Sequence, residues 1–213
     1  MSPVTRLVLW RHGVTDWNEQ GIFQGRADIP LNEKGLAQAA AVAPSLAAMK
    51  PVAIYCSPMI RARQTAQPLV DLTGLDPVID DRLAEIDVGT WVGRSLSDVA
   101  TLDPEAGALM IGGHDYRRSP TGETMTEVGL RVGECLREIA AEHDGGTVLI
   151  ASHGGAIRMG IVNLMGWQYE TAIGLGGMAN CAWSRVNRRG GHWRLDTYNC
   201  AVIPNLPGAD KLT

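Results

Sequence analysis

The sequence predicts an α/β fold, a three-layer sandwich with a mostly parallel central sheet. Two observations predict it. Short apolar runs alternate along the chain with longer stretches of helical periodicity, the pattern of β and α elements wound into layers. The 213 residues are 45% hydrophobic, which suits one continuous core without staples. A single domain over residues 1–213 is therefore expected.

Each element has its own signal. Leu7-Val8-Leu9-Trp10 reads as the first strand. Asn32 reads as the N-cap of a helix running toward Met49, because its side-chain oxygen suits a free N–H of the first turn. Pro44 lies inside that stretch and predicts a kink or a break. Val52 to Tyr55 reads as a second strand, Met59 to Leu72 as a helix containing Pro68, and Val78-Ile79 as a short strand. Residues 90–122 are rich in Gly and Pro and only weakly helical; they are expected to form an excursion that caps a site. Thr124 to His143 is the clearest helix. Val128, Val132, Cys135, Leu136 and Ile139 repeat at helical spacing, while Glu127, Arg131, Glu134 and Glu138 fill a polar side. Thr147 to Ala151 reads as a buried strand, followed by Gly154-Gly155 and a helix to Met165. Cys181 to Val202 reads as two strands around a turn at Asn187 to Gly191.

Composition excludes several function classes. The formal net charge is -4, and no long basic run exists, so neither nucleic acid nor a membrane surface is expected as a partner. A few arginines in one pocket still suit a small anion. The cysteines, Cys56, Cys135, Cys181 and Cys200, form no C-x-x-C pair and read as reduced thiols of a cytoplasmic protein. No apolar run approaches a membrane span, and Met1 to Trp10 lacks the long apolar region of a secretory leader.

Ligands of open parallel sheets bind beyond the carboxyl ends of the strands. The first strand ends in Arg11-His12-Gly13, then Thr15 and Asn18. The second ends in Cys56-Ser57-Pro58, with Arg61 and Arg63 opening the next helix. The strand at Thr147 to Ala151 ends in Ser152-His153-Gly154-Gly155. One sheet edge thus gathers two histidines, arginines whose forks match phosphate oxygens, and glycines that admit a ligand to the backbone. A helix N-terminus after His153 adds a positive dipole end. These parts make a phosphate pocket.

The run Arg11-His12-Gly13-Val14-Thr15-Asp16-Trp17-Asn18 resembles the signature of the histidine phosphatase superfamily, which includes the cofactor-dependent phosphoglycerate mutases. Further segments resemble that family in its own order: Gln24-Gly25, Asp28, Pro30-Leu31 and Gly35; Ser57-Pro58 with Arg61, Ala62, Thr65 and Ala66; Leu83, Glu85, Asp87, Gly89, Trp91 and Gly93; Gly122-Glu123-Thr124; and Ser152-His153-Gly154-Gly155. The resemblance implies a phosphoglycerate mutase-like fold and the following roles. His12 is the nucleophile that becomes phosphohistidine. Arg11, Arg61 and His153 form the charged wall of the phosphate pocket. Asn18 adds a neutral donor, and Thr15, Gln24, Gly25 and Gly154 help to bind phosphate. Glu85 gives a proton to the leaving alkoxide and then acts as base for water.

Competing readings are weighed against these. A metal site built from His12 and His153 is opposed by the cations Arg11 and Arg61 and by the lack of a His-Glu-x-x-His pattern, so neither metal nor other cofactor is expected. Asp87 competes with Glu85 as the acid; strand alternation would place both on one face, and the motif favours Glu85. Arg63 reads as a surface or supporting residue. Arg94, Arg117, Arg118 and Arg158 read as solvated charges, one of which meets a second anionic group of the substrate. His114, His143 and His192 read as surface residues, and Trp17 and Trp91 as pocket wall.

Mutases of the superfamily carry a longer insertion before the last histidine motif, whereas Glu123-Thr124 here follows a short Gly-rich segment. A site left open to water hydrolyses its phosphohistidine, so the resemblance implies a phosphatase. Leu175 to Ser184 resembles a tail segment of bacterial glucosyl-3-phosphoglycerate phosphatases, which implies a phosphorylated sugar-acid as substrate. α-Ribazole phosphate, sugar phosphates and phosphoproteins stay open as substrates. Phosphoglycerate mutase and a non-catalytic phospho-ligand binding domain are the alternatives, and a homodimer docking through the C-terminal strands is left open.

Overall fold

The computed structural model describes residues 3–202. Six strands form one sheet: β1 (Val4–Arg11), β2 (Ala53–Cys56), β3 (Pro77–Ile79), β4 (Thr147–Ser152), β5 (Trp183–Arg189) and β6 (His192–Cys200). Their spatial order is β3-β2-β4-β1-β5-β6. The neighbours from β3 to β1 pair in parallel, while β5 runs antiparallel to β1 and β6 antiparallel to β5. The mostly parallel sheet expected from the sequence is present.

Among the described residues eight α-helices accompany the strands: α1 (Asp16–Glu19), α2 (Glu33–Ala47), α3 (Ile60–Thr73), α4 (Leu96–Leu102), α5 (Pro104–Ile111), α6 (Met125–Glu142), α7 (Gly154–Met165) and α8 (Tyr169–Ala172). The period of two in β1 sorts its side chains into two cores. Leu7 and Leu9 pack with Val132, Leu136 and Ile157 of α6 and α7. Val8 and Trp10 pack on the other face with Val42, Leu46 and Leu69 of α2 and α3. Both faces of the sheet are therefore covered by helices, which gives the three layers.

Asn32 caps α2 by accepting the Gly35 N–H, and Thr124 caps α6 in a capping box with Glu127. The break expected at Pro44 does not occur. α2 continues through it because Pro44 and Ala40, whose carbonyl the missing N–H would have met, both lie on the exposed side. Residues 90–122 are more helical than expected, since they contain α4 and α5. The overlooked signal is the pair Ser95 and Asp98, a capping box that starts α4.

Gly13 and Gly35 allow the loop after β1 to touch the start of α2. A Cβ on Gly13 would sit 2.6 Å from the Gly35 carbonyl oxygen, and one on Gly35 would overlap the backbone of Val14. This contact fixes the segment that follows His12.

Candidate active site

The strand order places β2, β4 and β1 side by side, so Ser57, His153 and His12 arrive at one edge. A cavity of about 200 Å³ opens there, lined by Arg11, His12, Asn18, Arg61, Glu85 and Gly155, with Gln24 and Gly25 also on its wall. Ile22, Phe23, Ile86, Val88 and Met125 complete the wall as apolar residues that the motifs did not single out.

His12 is buried, and its Nδ1 lies 2.7 Å from the Gly13 carbonyl oxygen. A carbonyl only accepts, so Nδ1 carries the hydrogen and Nε2 keeps the lone pair. His153 is fully buried; its ring packs edge-on against His12 at 5.2 Å between centroids. Its Nε2 meets Ser57 Oγ at 2.7 Å, and its Nδ1 has no partner among the described residues. Burial holds both imidazoles well below the ordinary histidine pKa. Arg61 and Arg11 push His12 further down, and Arg61, His12 and Arg11 do the same to His153. Burial, and after it the two guanidinium groups, thus disfavour a charged His153, which the sequence reading had made part of the charged wall.

Arg61 opens α3 and is almost fully buried. Its Nη1 and Nη2 donate to the carbonyls of Ala27 and Gly25, each at 2.7 Å. Arg11 donates from Nη1 to the Met178 carbonyl. In both, the Nε–H is buried with no partner among the described residues, and so is Gln24 Oε1. A buried unsatisfied donor costs about 1–3 kcal/mol, so orphans concentrated around one pocket mark a place where a ligand completes the hydrogen bonding.

Thr15 and Asn18 are placed differently from one another. Thr15 is fully buried as the N-cap of α1, where its Oγ1 donates to Asn18 Oδ1 and accepts the Asn18 N–H. It shapes the loop and does not line the cavity. Asn18 Oδ1 is spent on Thr15 and Asn180, which leaves its amide N–H groups available to the pocket. Gly154 packs against the Arg11 side chain, and Gly155 rather than Gly154 borders the cavity.

Glu85 sits on the N-terminus of α7. Its carboxylate accepts from Gly155 N at 3.1 Å and Ala156 N at 2.9 Å, and also from its neighbour Ile86 N at 3.0 Å. The positive end of this helix therefore faces Glu85, whereas the sequence reading aimed it at phosphate. Residues 84–88 form no strand, so Glu85 and Asp87 diverge: Asp87 Oδ1 accepts the Gly89 N–H in a local turn.

Other residues depart from expectation. Trp91 is core, its ring tilted against those of Phe23 and Tyr116, and it does not line this cavity. Arg118 is buried over the Tyr116 ring, 3.8 Å from its centroid, and Arg158 is half-buried; neither is a solvated charge. His143 is half-buried against the Tyr55 hydroxyl, while His114 and His192 are exposed as expected. Arg63 is exposed. Arg131, read as part of a polar helix face, turns inward. It binds Glu123 and donates to the carbonyls of Arg82 and Ala84 at 2.8 Å and of Glu85 at 3.0 Å. Asn180 donates to the carbonyls of His12 and Gly13 at 3.1 and 3.2 Å, tying the tail segment to the loop. No group of three or more metal-ligating His, Cys, Asp or Glu side chains occurs among the described residues. No helix among them is long and apolar enough to cross a membrane.

The family model of the histidine phosphatase superfamily (branch 1) matches residues 7–201. A metal-independent phosphoserine phosphatase of Arabidopsis thaliana is 33% identical over 201 residues, covering 93% of this chain and 82% of the relative. A Yersinia pestis protein named "Probable phosphoglycerate mutase GpmB" is 32% identical over 212 residues, covering 97% and 98%. Among solved structures, a mycobacterial glucosyl-3-phosphoglycerate phosphatase in complex with VO3 superposes with a TM-score of 0.85 at 32% identity, over 92% of this chain and 99% of that one. With its family model matched almost end to end, the chain belongs to branch 1 of the histidine phosphatase superfamily.

Proposed function

We propose that the protein hydrolyses phosphomonoesters of small phosphorylated metabolites through a phosphohistidine at His12. One observation carries the reading: the Gly13 carbonyl holds the Nδ1 hydrogen of a buried, neutral His12, which leaves a lone pair on Nε2 in a pocket with unsatisfied arginine donors. In the first step Nε2 forms a bond to phosphorus, the P–O bond to the alcohol breaks, and Glu85 gives its proton to the leaving oxygen. Arg11, Arg61, His153 and the Asn18 amide hold the phosphoryl oxygens, supported by Gln24 and Gly25. In the second step water attacks phosphorus, Glu85 takes its proton, and the P–N bond breaks to restore His12. No metal or cofactor enters this scheme.

A phosphorylated sugar-acid such as glucosyl-3-phosphoglycerate is the substrate favoured by the likeness to the mycobacterial phosphatase. We take residues 1–213 as one domain with residues 90–122 as its cap. The free thiols Cys56, Cys135, Cys181 and Cys200 suit a cytoplasmic location. A homodimer through the β5–β6 hairpin belongs to the same proposal. The mutase-named relative sustains interconversion of phosphoglycerates as a second reading.

The test incubates the protein, with chelator present, with 4-nitrophenyl phosphate, 3-phosphoglycerate and glucosyl-3-phosphoglycerate, beside His12→Ala. Phosphate release that depends on His12 and ignores chelator is the expected result. Activity that survives His12→Ala, or dies with chelator alone, sinks the mechanism. Interconversion without net phosphate moves the reading to mutase.

A further inference from the structure

A second cavity of about 350 Å³ adjoins the phosphate pocket, and Phe23, Ile86, Val88 and Met125 line both. The two cavities thus neighbour one another across a shared apolar wall. The polar lining of the second chamber includes Tyr116, Arg118 and Arg158, and no acidic side chain among the described residues lines it.

Buried polar atoms without a partner among the described residues are few, and their distribution is informative. They are the Nε of Arg11, Arg61 and Arg158, Gln24 Oε1, the Tyr116 hydroxyl, His153 Nδ1 and Asn187 Oδ1. Four of these surround the phosphate pocket. Two more, the Tyr116 hydroxyl and Arg158 Nε, belong to residues of the second chamber. Tyr116 is only 7% exposed, as is Arg118. Neither Arg118 nor Arg158 makes an ion pair among the described residues. Guanidinium N–H groups without acceptors among the described residues mark the phosphate pocket as well, which differs in also holding the Glu85 carboxylate.

The sequence positions Arg158 for this. On α7, residues three apart share a face, so Arg158 stands one turn beyond Gly155, which borders the phosphate pocket. The Tyr116 carbonyl accepts from Arg118 Nη1 at 2.6 Å and keeps that guanidinium over the ring. Two fixed cations and a phenol donor in an apolar, acid-free chamber suit a planar anion that takes two forks side by side. We propose that this chamber binds a carboxylate of the substrate, so that the protein selects phosphorylated acids over neutral phosphate esters. This rests on the phosphatase reading above and adds the residues that set its substrate class.

The test compares 3-phosphoglycerate with glycerol 3-phosphate, which replaces the carboxylate by a hydroxymethyl group. Wild type is expected to prefer the acid by at least about tenfold in kcat/KM, the worth of one hydrogen bond to a charged group. Arg158→Gln should bring that ratio to within about threefold of unity, Arg158→Lys should restore part of it, and Tyr116→Phe, which removes only an unpartnered hydroxyl, should lower it without lowering the melting temperature. A wild-type ratio near unity, or an Arg158→Gln variant that weakens both esters equally, overturns the proposal. Should wild type hydrolyse neither ester, the phosphatase reading itself fails only if 4-nitrophenyl phosphate and glucosyl-3-phosphoglycerate are left intact too, and calorimetric binding of the two esters decides the chamber. Tighter binding of the acid that Arg158→Gln abolishes supports it, and equal binding overturns it.

Discussion

The Glu85 carboxylate is seated on Gly155: its Oε2 accepts the Gly155 N–H at 3.1 Å, and its Oε1 lies 2.6 Å from where a Gly155 Cβ would stand. A methyl group at 155 has no room while the carboxylate keeps that place. Gly155→Ala should therefore displace the proposed proton donor and lower kcat on 4-nitrophenyl phosphate by about 10- to 100-fold, the scale of an ångström's misplacement. Circular dichroism should show the fold retained. An unchanged kcat would separate Glu85 from the chemistry.

Arg131 holds the same acid from behind, through the carbonyls of Arg82, Ala84 and Glu85 and through Glu123, which itself accepts the Asp87 N–H at 2.8 Å. Arg131→Met should cost about 2–4 kcal/mol in urea unfolding, since it strands a largely buried carboxylate and three carbonyls near the protein surface. It should also lower kcat while the Kd for orthophosphate stays within twofold, because Arg131 supports Glu85 from behind and does not itself line the phosphate pocket. Equal loss of kcat and phosphate affinity would reduce Arg131 to a general support.

Backbone contact beside the nucleophile predicts a stability contrast. Gly35→Ala drives a methyl into the Val14 backbone and should destabilise by about 2–3 kcal/mol. Gly176→Ala, with nothing within 4 Å of its Cβ position, should stay within about 0.5 kcal/mol. Similar losses at both positions would refute the close approach.

The two buried histidines link stability to pH. Their folded pKa values lie well below 6.5, so below that pH the unfolded chain takes up protons that the folded protein refuses. Their contribution is complete above pH 6.5 and falls as pH drops toward the folded values, by about 1.4 kcal/mol per pH unit for each histidine. Denaturant unfolding at pH 7.5 and 5.5 should differ by about 2–3 kcal/mol, and His12→Gln should roughly halve the difference. Paired carboxylates such as Glu123, held below their ordinary range by Arg131, act at lower pH and leave this window clear. A flat profile over it would contradict neutral burial of the imidazoles.

Much of this arrangement was legible in the sequence, for physical reasons. Strand ends, caps and glycines are local features, so β1, the Asn32 cap, the Thr124 cap and the gathering of His12, Arg61 and His153 at one edge could be read directly. What escaped depends on where a side chain turns after folding. Thr15 looks like a phosphate ligand until Asn18 closes a capping box with it. Arg131 and Glu127 are both polar residues on α6, yet only Arg131 finds carbonyls to satisfy beneath the helix. Arg118 was indistinguishable from Arg117 by sequence. The structure puts one over Tyr116 and leaves the other on the surface with Glu127. The seat of Glu85 on α7 escaped because it joins segments 70 residues apart in the chain.

The loop that carries the nucleophile is closed by the last part of the chain. Asn180 binds the His12 and Gly13 carbonyls, Cys181 N donates to the His12 carbonyl, and β5 pairs along the open edge of β1. These bonds span about 170 positions, so making them costs the closure entropy of a very long loop. A fragment cut before Asn180 would leave the His12 and Gly13 carbonyls without these donors and one edge of β1 uncovered.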